Sequence, residues 1–125
     1  MITRKQARRW LRFWQSRLLL QRWRIRILFN QDESWDRSGQ IMVMPGREEA
    51  DLTLWEAMPE KEGAYIVAHE LLHIVQEPVD VFVDLWAKET LEEEQYELFT
   101  ELYNNRRERV VDHLTEILAD LAQGP

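Results

Sequence analysis

A chain of 125 residues with a net charge of −7, 45% apolar and 31% charged, has the size and balance of one ordinary globular domain, expected over residues 1–125. No apolar run approaches the roughly 20 residues that a bilayer-spanning helix needs, so a membrane is not an expected partner. The chain has no cysteine, which excludes a disulfide framework and a thiolate metal site and leaves His, Asp and Glu as the metal donors.

The opening MITRKQARRW lacks the uninterrupted apolar core of a secretory signal, which makes the cytoplasm the expected compartment. Charge is divided sharply along the chain. Nine Lys or Arg and no acid precede Asp32, whereas 23 acids face seven bases from there on. The two parts can neutralise each other on packing, or the basic part can form a patch for an anionic partner such as nucleic acid. The arginines follow no recognisable nucleic-acid motif, which favours the first alternative.

Residues 1–20 form a basic N-terminal segment, helical from about Thr3, in which Trp10, Phe13, Trp14 and Leu18 recur at three and four. A sheet is expected over 22–56. In RWRIRILF, Trp23, Ile25, Ile27 and Phe29 alternate with arginines, as in a half-buried strand. Ile41–Met44 and Asp51–Trp55 read as two more strands around the turn PGREEA. Strands so close in sequence suggest one small, mostly antiparallel, three-stranded sheet.

Pro59, Glu60 and Glu62 suit the first turn of a helix over 59–77, which Pro78 should end. VDVFVDLW leans toward helix over extended chain. Over 91–121, Tyr96, Phe99, Tyr103, Val110, Leu114, Ile117 and Leu121 share one face, which predicts one long helix or two nearly collinear ones with that stripe as the core side. The fold class is therefore α+β.

The chemistry is concentrated in VAHELLHIV, residues 67–75. Histidines four apart lie about 40° apart around a helix, so His69 and His73 can offer imidazoles to one ion. Glu70 sits about 100° from His69, beside an ion without being forced to ligate it, as a general base for a metal-activated water must. Ala64, Val67, Ala68, Leu71, Ile74 and Val75 form the expected core face behind the pair.

Two histidines are too few for a catalytic zinc site, which usually has three protein ligands. In NNRRERVVDHLTEILAD, Glu108 and Asp112 are one turn apart and share a face with Thr115 and Ala119. Glu108 could reach the ion while Asp112 fixes the tautomer of a ligating histidine. Glu97 and Glu101 occupy the same face earlier in the helix, and Glu116 with Asp120 repeats the spacing later, so each remains an alternative. His113 lies about 140° from Glu108 and does not suit the same ion.

HELLH followed 35 residues after His73 by ERVVD, in this order of elements, resembles the zincin metalloproteases of the gluzincin branch. More narrowly, it is similar to the small single-domain zinc-peptidase-like proteins of bacteria and their phages. The resemblance spans most of the chain from Trp23 to Leu121 and implies a minimal zincin-like fold. It implies zinc bound by His69, His73 and Glu108, Glu70 as general base and proton shuttle, and Asp112 behind a ligand. Gluzincins also use a side chain that stabilises the oxyanion. No segment matches such a motif here, and Tyr65, on the His69 face, is the candidate.

The expected function is zinc-dependent hydrolysis of a peptide or protein, the substrate adding a strand to Ile41–Met44 or Asp51–Trp55. The alternative is a catalytically silent zincin-like module whose basic N-terminal part contacts nucleic acid or a protein partner. A third, structural reading has His69 and His73 buried with no metal. A further alternative has residues 1–21 covering the cleft as an inhibitory segment.

Overall fold

The computed structural model of the protein describes residues 1–44 and 46–122. Pro45, in the expected turn PGREEA, and residues 123–125, at the end of the expected domain, lie outside the described residues. The chain packs as two compact units, Met1–Ile74 and Val75–Pro125. The class is α+β, with three α-helices and one small mixed sheet among the described residues.

In the first unit, α1 spans Arg4–Arg17. Thr3 starts it with a reciprocal cap: the Gln6 amide N–H donates to Thr3 Oγ1 at 3.1 Å and the Thr3 amide N–H donates to Gln6 Oε1 at 2.8 Å. Its core side is Ala7, Leu11 and Trp14, rotated from the expected stripe. Trp10, Phe13 and Leu18 are only half-buried. Trp10 packs flat on the start of the next helix, where a Cβ on Gly63 would meet its ring carbons at 2.2–2.6 Å. Phe13 is covered instead by the Arg17 guanidinium, 3.5 Å from its ring centroid.

Strands β1 (Arg24–Asn30), β2 (Gly39–Met44) and β3 (Glu49–Trp55) pair in the order β1-β3-β2. β1 runs parallel to β3, and β2 antiparallel to it. The sheet is thus mixed, not mostly antiparallel, and β3 begins two residues before its expected start. The reason lies in what each strand can bury. β3 alternates without a break, with Ala50, Leu52 and Leu54 at most 1% exposed, and takes the centre. β1 carries exposed Arg24 and Arg26, side chains that suit a sheet edge. Arg26 meets Asp51, its register partner, through two hydrogen bonds of 2.8 and 3.1 Å. That bidentate contact holds the Asp51 carboxyl below its ordinary range.

The helix expected over 59–77 is a single 3-10 turn, Glu60–Glu62, followed by α2, Gly63–Thr90. Pro78 does not end α2; it sits inside it. A proline there removes the N–H that would bond the carbonyl of Ile74. Ile74 is also the last residue of the first unit, so the weakened turn coincides with the division of the chain. VDVFVDLW is helical as expected.

The second unit holds the rest of α2 and α3, Glu93–Ala122. Its seam is built from polar-aromatic pairs. Tyr96 donates to Asp84, and Tyr103 donates to Asp80 at 2.6 Å. Arg107 also reaches Asp80, at 3.6 Å. Hydrogen bonds from Tyr96 and Lys88 lower the Asp84 carboxyl. Burial, then the hydrogen bond to Asp80, pushes the Tyr103 phenol up to about 12. A phenol whose pKa is raised on folding supports the fold fully below its unfolded pKa, near 10, and loses that support as pH rises to about 12. Helical circular dichroism should therefore fall across that window, and Tyr103→Phe should flatten the loss.

The expected core stripe of α3 holds only in its first half. Tyr96, Phe99 and Tyr103 are half-buried, but Val110, Leu114, Ile117 and Leu121 are 47%, 38%, 44% and 72% exposed. The buried residues are Val111 and Thr115 instead. Over the 30 residues of α3 the buried face thus changes from the side of Tyr96 and Tyr103 to that of Val111 and Thr115. The Thr115 hydroxyl donates to the Val111 carbonyl at 2.6 Å, which satisfies it locally and lets a polar residue be fully buried. No helix among the described residues is long and apolar enough to cross a membrane.

Removing residues 1–21 tests the inhibitory-segment alternative. The deletion takes Ala7, Leu11, Trp14 and Leu20 from the core. At roughly 1.5–3 kcal/mol for each large apolar side chain, the loss is comparable to a typical domain stability of about 5–15 kcal/mol. The expected result is loss of cooperative melting. A folded, more active fragment would establish the inhibitory segment instead.

Candidate metal centre

α2 presents the HELLH residues from a firmly packed base. Val67, Ala68 and Leu71 are 0% exposed, and Leu72 and Ile74 are nearly so. Val75, expected on the core face, is instead 47% exposed. It falls in the turn that Pro78 weakens, at the start of the second unit. His69 and His73 are half-buried, and their rings stand nearly perpendicular, centroids 5.2 Å apart. One ligating atom from each of His69, Glu70 and His73 can be chosen so that all lie within 4.8 Å of one another.

Glu70 is the unusual member. It is 6% exposed, although an isolated glutamate is rarely buried. Its Oε2 is buried and accepts no hydrogen bond among the described residues; the nearest cationic candidate, His69 Nδ1, stands 3.6 Å away. A carboxylate oxygen held this way is costly unless a water, substrate or ion completes it. The donor set has the composition of a catalytic zinc site: two imidazoles one turn apart, a carboxylate beside them and no thiolate.

Gly39, the first residue of β2, is part of this arrangement and had no reading in the sequence. A Cβ at Gly39 would come within 2.7 Å of Ile66 Cγ2 and 3.2 Å of Glu70 Cγ. The bare backbone therefore lets the strand lie directly against Glu70. Gly39→Ala should cost about 1–3 kcal/mol, as overpacking does, and should displace Glu70. A fall in melting temperature with reduced activity is expected, and unchanged values for both would contradict the close approach.

Tyr65 lies one turn before His69 on α2 and is half-buried. On α3, in the second unit, Glu108 is half-buried and Asp112 exposed. Two turns beyond Glu108 and almost in line with it stands the fully buried Thr115, so Glu108 belongs to the side of α3 that is covered. The alternatives Glu97, Glu101, Glu116 and Asp120 are all exposed, as is His113. For the sheet, β3 is central and both its edges are paired, so Asp51–Trp55 cannot receive an added strand. β2 keeps one open edge.

Comparison with known proteins returns no match: no family model, no curated protein and no solved structure matches this chain.

Proposed function

We propose that the protein is a zinc-dependent metallopeptidase in which His69, His73 and Glu108 hold the ion, Asp112 orients a ligating histidine and Glu70 is the general base. The observation that carries this reading is the convergence of donor atoms from His69, Glu70 and His73 on one helix, with a buried Glu70 oxygen that accepts no hydrogen bond among the described residues. The half-buried position of Glu108 on the covered side of α3 supports its choice over the exposed glutamates.

Zinc held by such a set supplies a water acidified toward neutrality and a Lewis acid for a carbonyl oxygen. Glu70 takes one proton from the attacking water as the new C–O bond forms. It then delivers that proton to the amide nitrogen as the C–N bond breaks, so the carboxylate is regenerated each cycle. The packed residues behind the helix keep Glu70 and the imidazoles fixed relative to one another. Tyr65 is the proposed donor to the developing oxyanion, and the open edge of β2 is the proposed track for an extended substrate. The test is chelator-sensitive cleavage of an unfolded protein, lost on Glu70→Gln.

One observation favours a second, non-catalytic reading. With the apolar side of α1 buried, Lys5, Arg8, Arg9 and Arg12 all stand exposed on its other side. Such a stripe suits the phosphates of a nucleic acid. Salt-sensitive DNA binding that is indifferent to Glu70→Gln, in a protein without peptidase activity, would select this reading.

A further inference from the structure

On the exposed side of α3, away from Glu108, the side chains of Arg106, Arg109, Val110, His113 and Leu114 line an open groove of about 580 Å³. A smaller hollow of about 200 Å³ shares Arg106 and Val110 with it and adds Val79 and Tyr103. The larger has the volume of a ligand site, about 300–1,000 Å³, and the two hollows adjoin along a shallow trough on α3. Its floor is apolar, with Val79, Val110 and Leu114 at 60%, 47% and 38% exposure. Its rim is cationic.

The rim charges are not committed elsewhere. Arg107 is engaged by Asp80 and Glu108, but Arg106 and Arg109 make no ion pair among the described residues and both are exposed. Three of the seven bases that follow Asp32 fall within the four residues Arg106–Arg109. The chain as a whole is anionic, at −7, so a cationic rim here acts at contact distance and not through the overall field. Guanidinium groups take carboxylates through paired, planar hydrogen bonds. A nucleic acid fits less well, because Asp112 and Glu116 alternate with the bases along the same helix and an apolar floor offers nothing to phosphates.

We propose that this trough is a peptide-binding site, taking an extended segment with an apolar side chain flanked by Asp or Glu. The apolar residue enters between Val110 and Leu114, and the flanking carboxylates meet Arg106 and Arg109, with His113 as a further N–H donor. It is a binding site in its own right and is tested apart from the peptidase reading.

The experiment uses full-length Glu70→Gln protein, with and without added zinc, and three fluorescent peptides that share a central leucine: flanks of Asp and Glu, of Lys, or of Ser. Anisotropy should show the acidic peptide binding about tenfold tighter than the lysine peptide, a preference that weakens with salt. R106E/R109E should reverse the order, and the milder R106Q/R109Q should erase it with helical circular dichroism unchanged. Equal affinities for the three peptides, or a preference that both double variants retain, would overturn the proposal. So would a concentration-dependent dimer lost in R106E/R109E, which would assign the trough to a second copy of the chain. Failure of the peptidase reading has a different signature: no zinc and no cleavage, with the peptide preference intact.

Discussion

If the proposed peptidase reading holds, Glu70→Gln is expected to remove turnover and leave zinc bound. The substitution keeps the shape of the side chain, which matters because Glu70 is 6% exposed and lies against a helix face that is fully packed. The amide that replaces the carboxylate cannot accept the proton of the attacking water. General acid–base catalysis is worth roughly 10²–10⁴-fold, and the same group serves both proton transfers, so the expected loss lies at the upper end. The measurement pairs peptide cleavage with elemental analysis of the same preparation. Full activity in a clean preparation of the variant would exclude Glu70 as the base.

Replacing either imidazole acts on the ion instead. His69→Ala and His73→Ala should each weaken zinc by more than the roughly 10–100-fold expected for a partner behind a ligand, the range predicted for Asp112→Ala. Neither should unfold the first unit, because both histidines are half-buried while the packing residues Val67, Ala68 and Leu71 are untouched. Binding to the folded state alone stabilises it by about 2.7 kcal/mol at a ligand concentration 100 times the dissociation constant. Added zinc should therefore raise the melting temperature of the natural protein and leave that of His73→Ala where it was. Equal zinc-induced shifts in both would mean that the metal binds elsewhere.

These expectations depend on features that were legible to different degrees. The HELLH helix could be read because its pattern is local: residues three and four apart share a face whatever the rest of the chain does, and Val67, Ala68, Leu71 and Ile74 are buried as that periodicity requires. β1 was equally visible from its alternation, and β2 and β3 from the turn between them. Their order was not, because pairing depends on which strand is flanked on both edges, and β3 takes that place only when Arg24 and Arg26 on β1 stand at the edge. Pro78 misled for a related reason. A proline costs about 3 kcal/mol inside a helix, which local reasoning treats as a stop, yet the turns on both sides extend α2 to Thr90.

The long helix shows where periodicity runs out. Val110, Leu114, Ile117 and Leu121 keep the spacing of a core stripe yet stand largely exposed, while the neighbouring Val111 and Thr115 are buried. Apolar spacing shows that residues share a face but not that the face is covered. Here the difference bears on the chemistry, since the covered side carries Glu108 and the exposed one forms the floor of the trough. Gly39 was illegible altogether, because its role is the absence of a side chain against Glu70.

The central claim is that His69, His73 and Glu108 hold one zinc ion. Metal analysis of protein purified without a metal-affinity tag tests it most directly, on the natural chain and on Glu108→Ala and Glu101→Ala. The predicted result is one zinc per chain in the natural protein and in Glu101→Ala, and none in Glu108→Ala. A natural chain without zinc, or a Glu108→Ala variant that keeps it, would contradict the account.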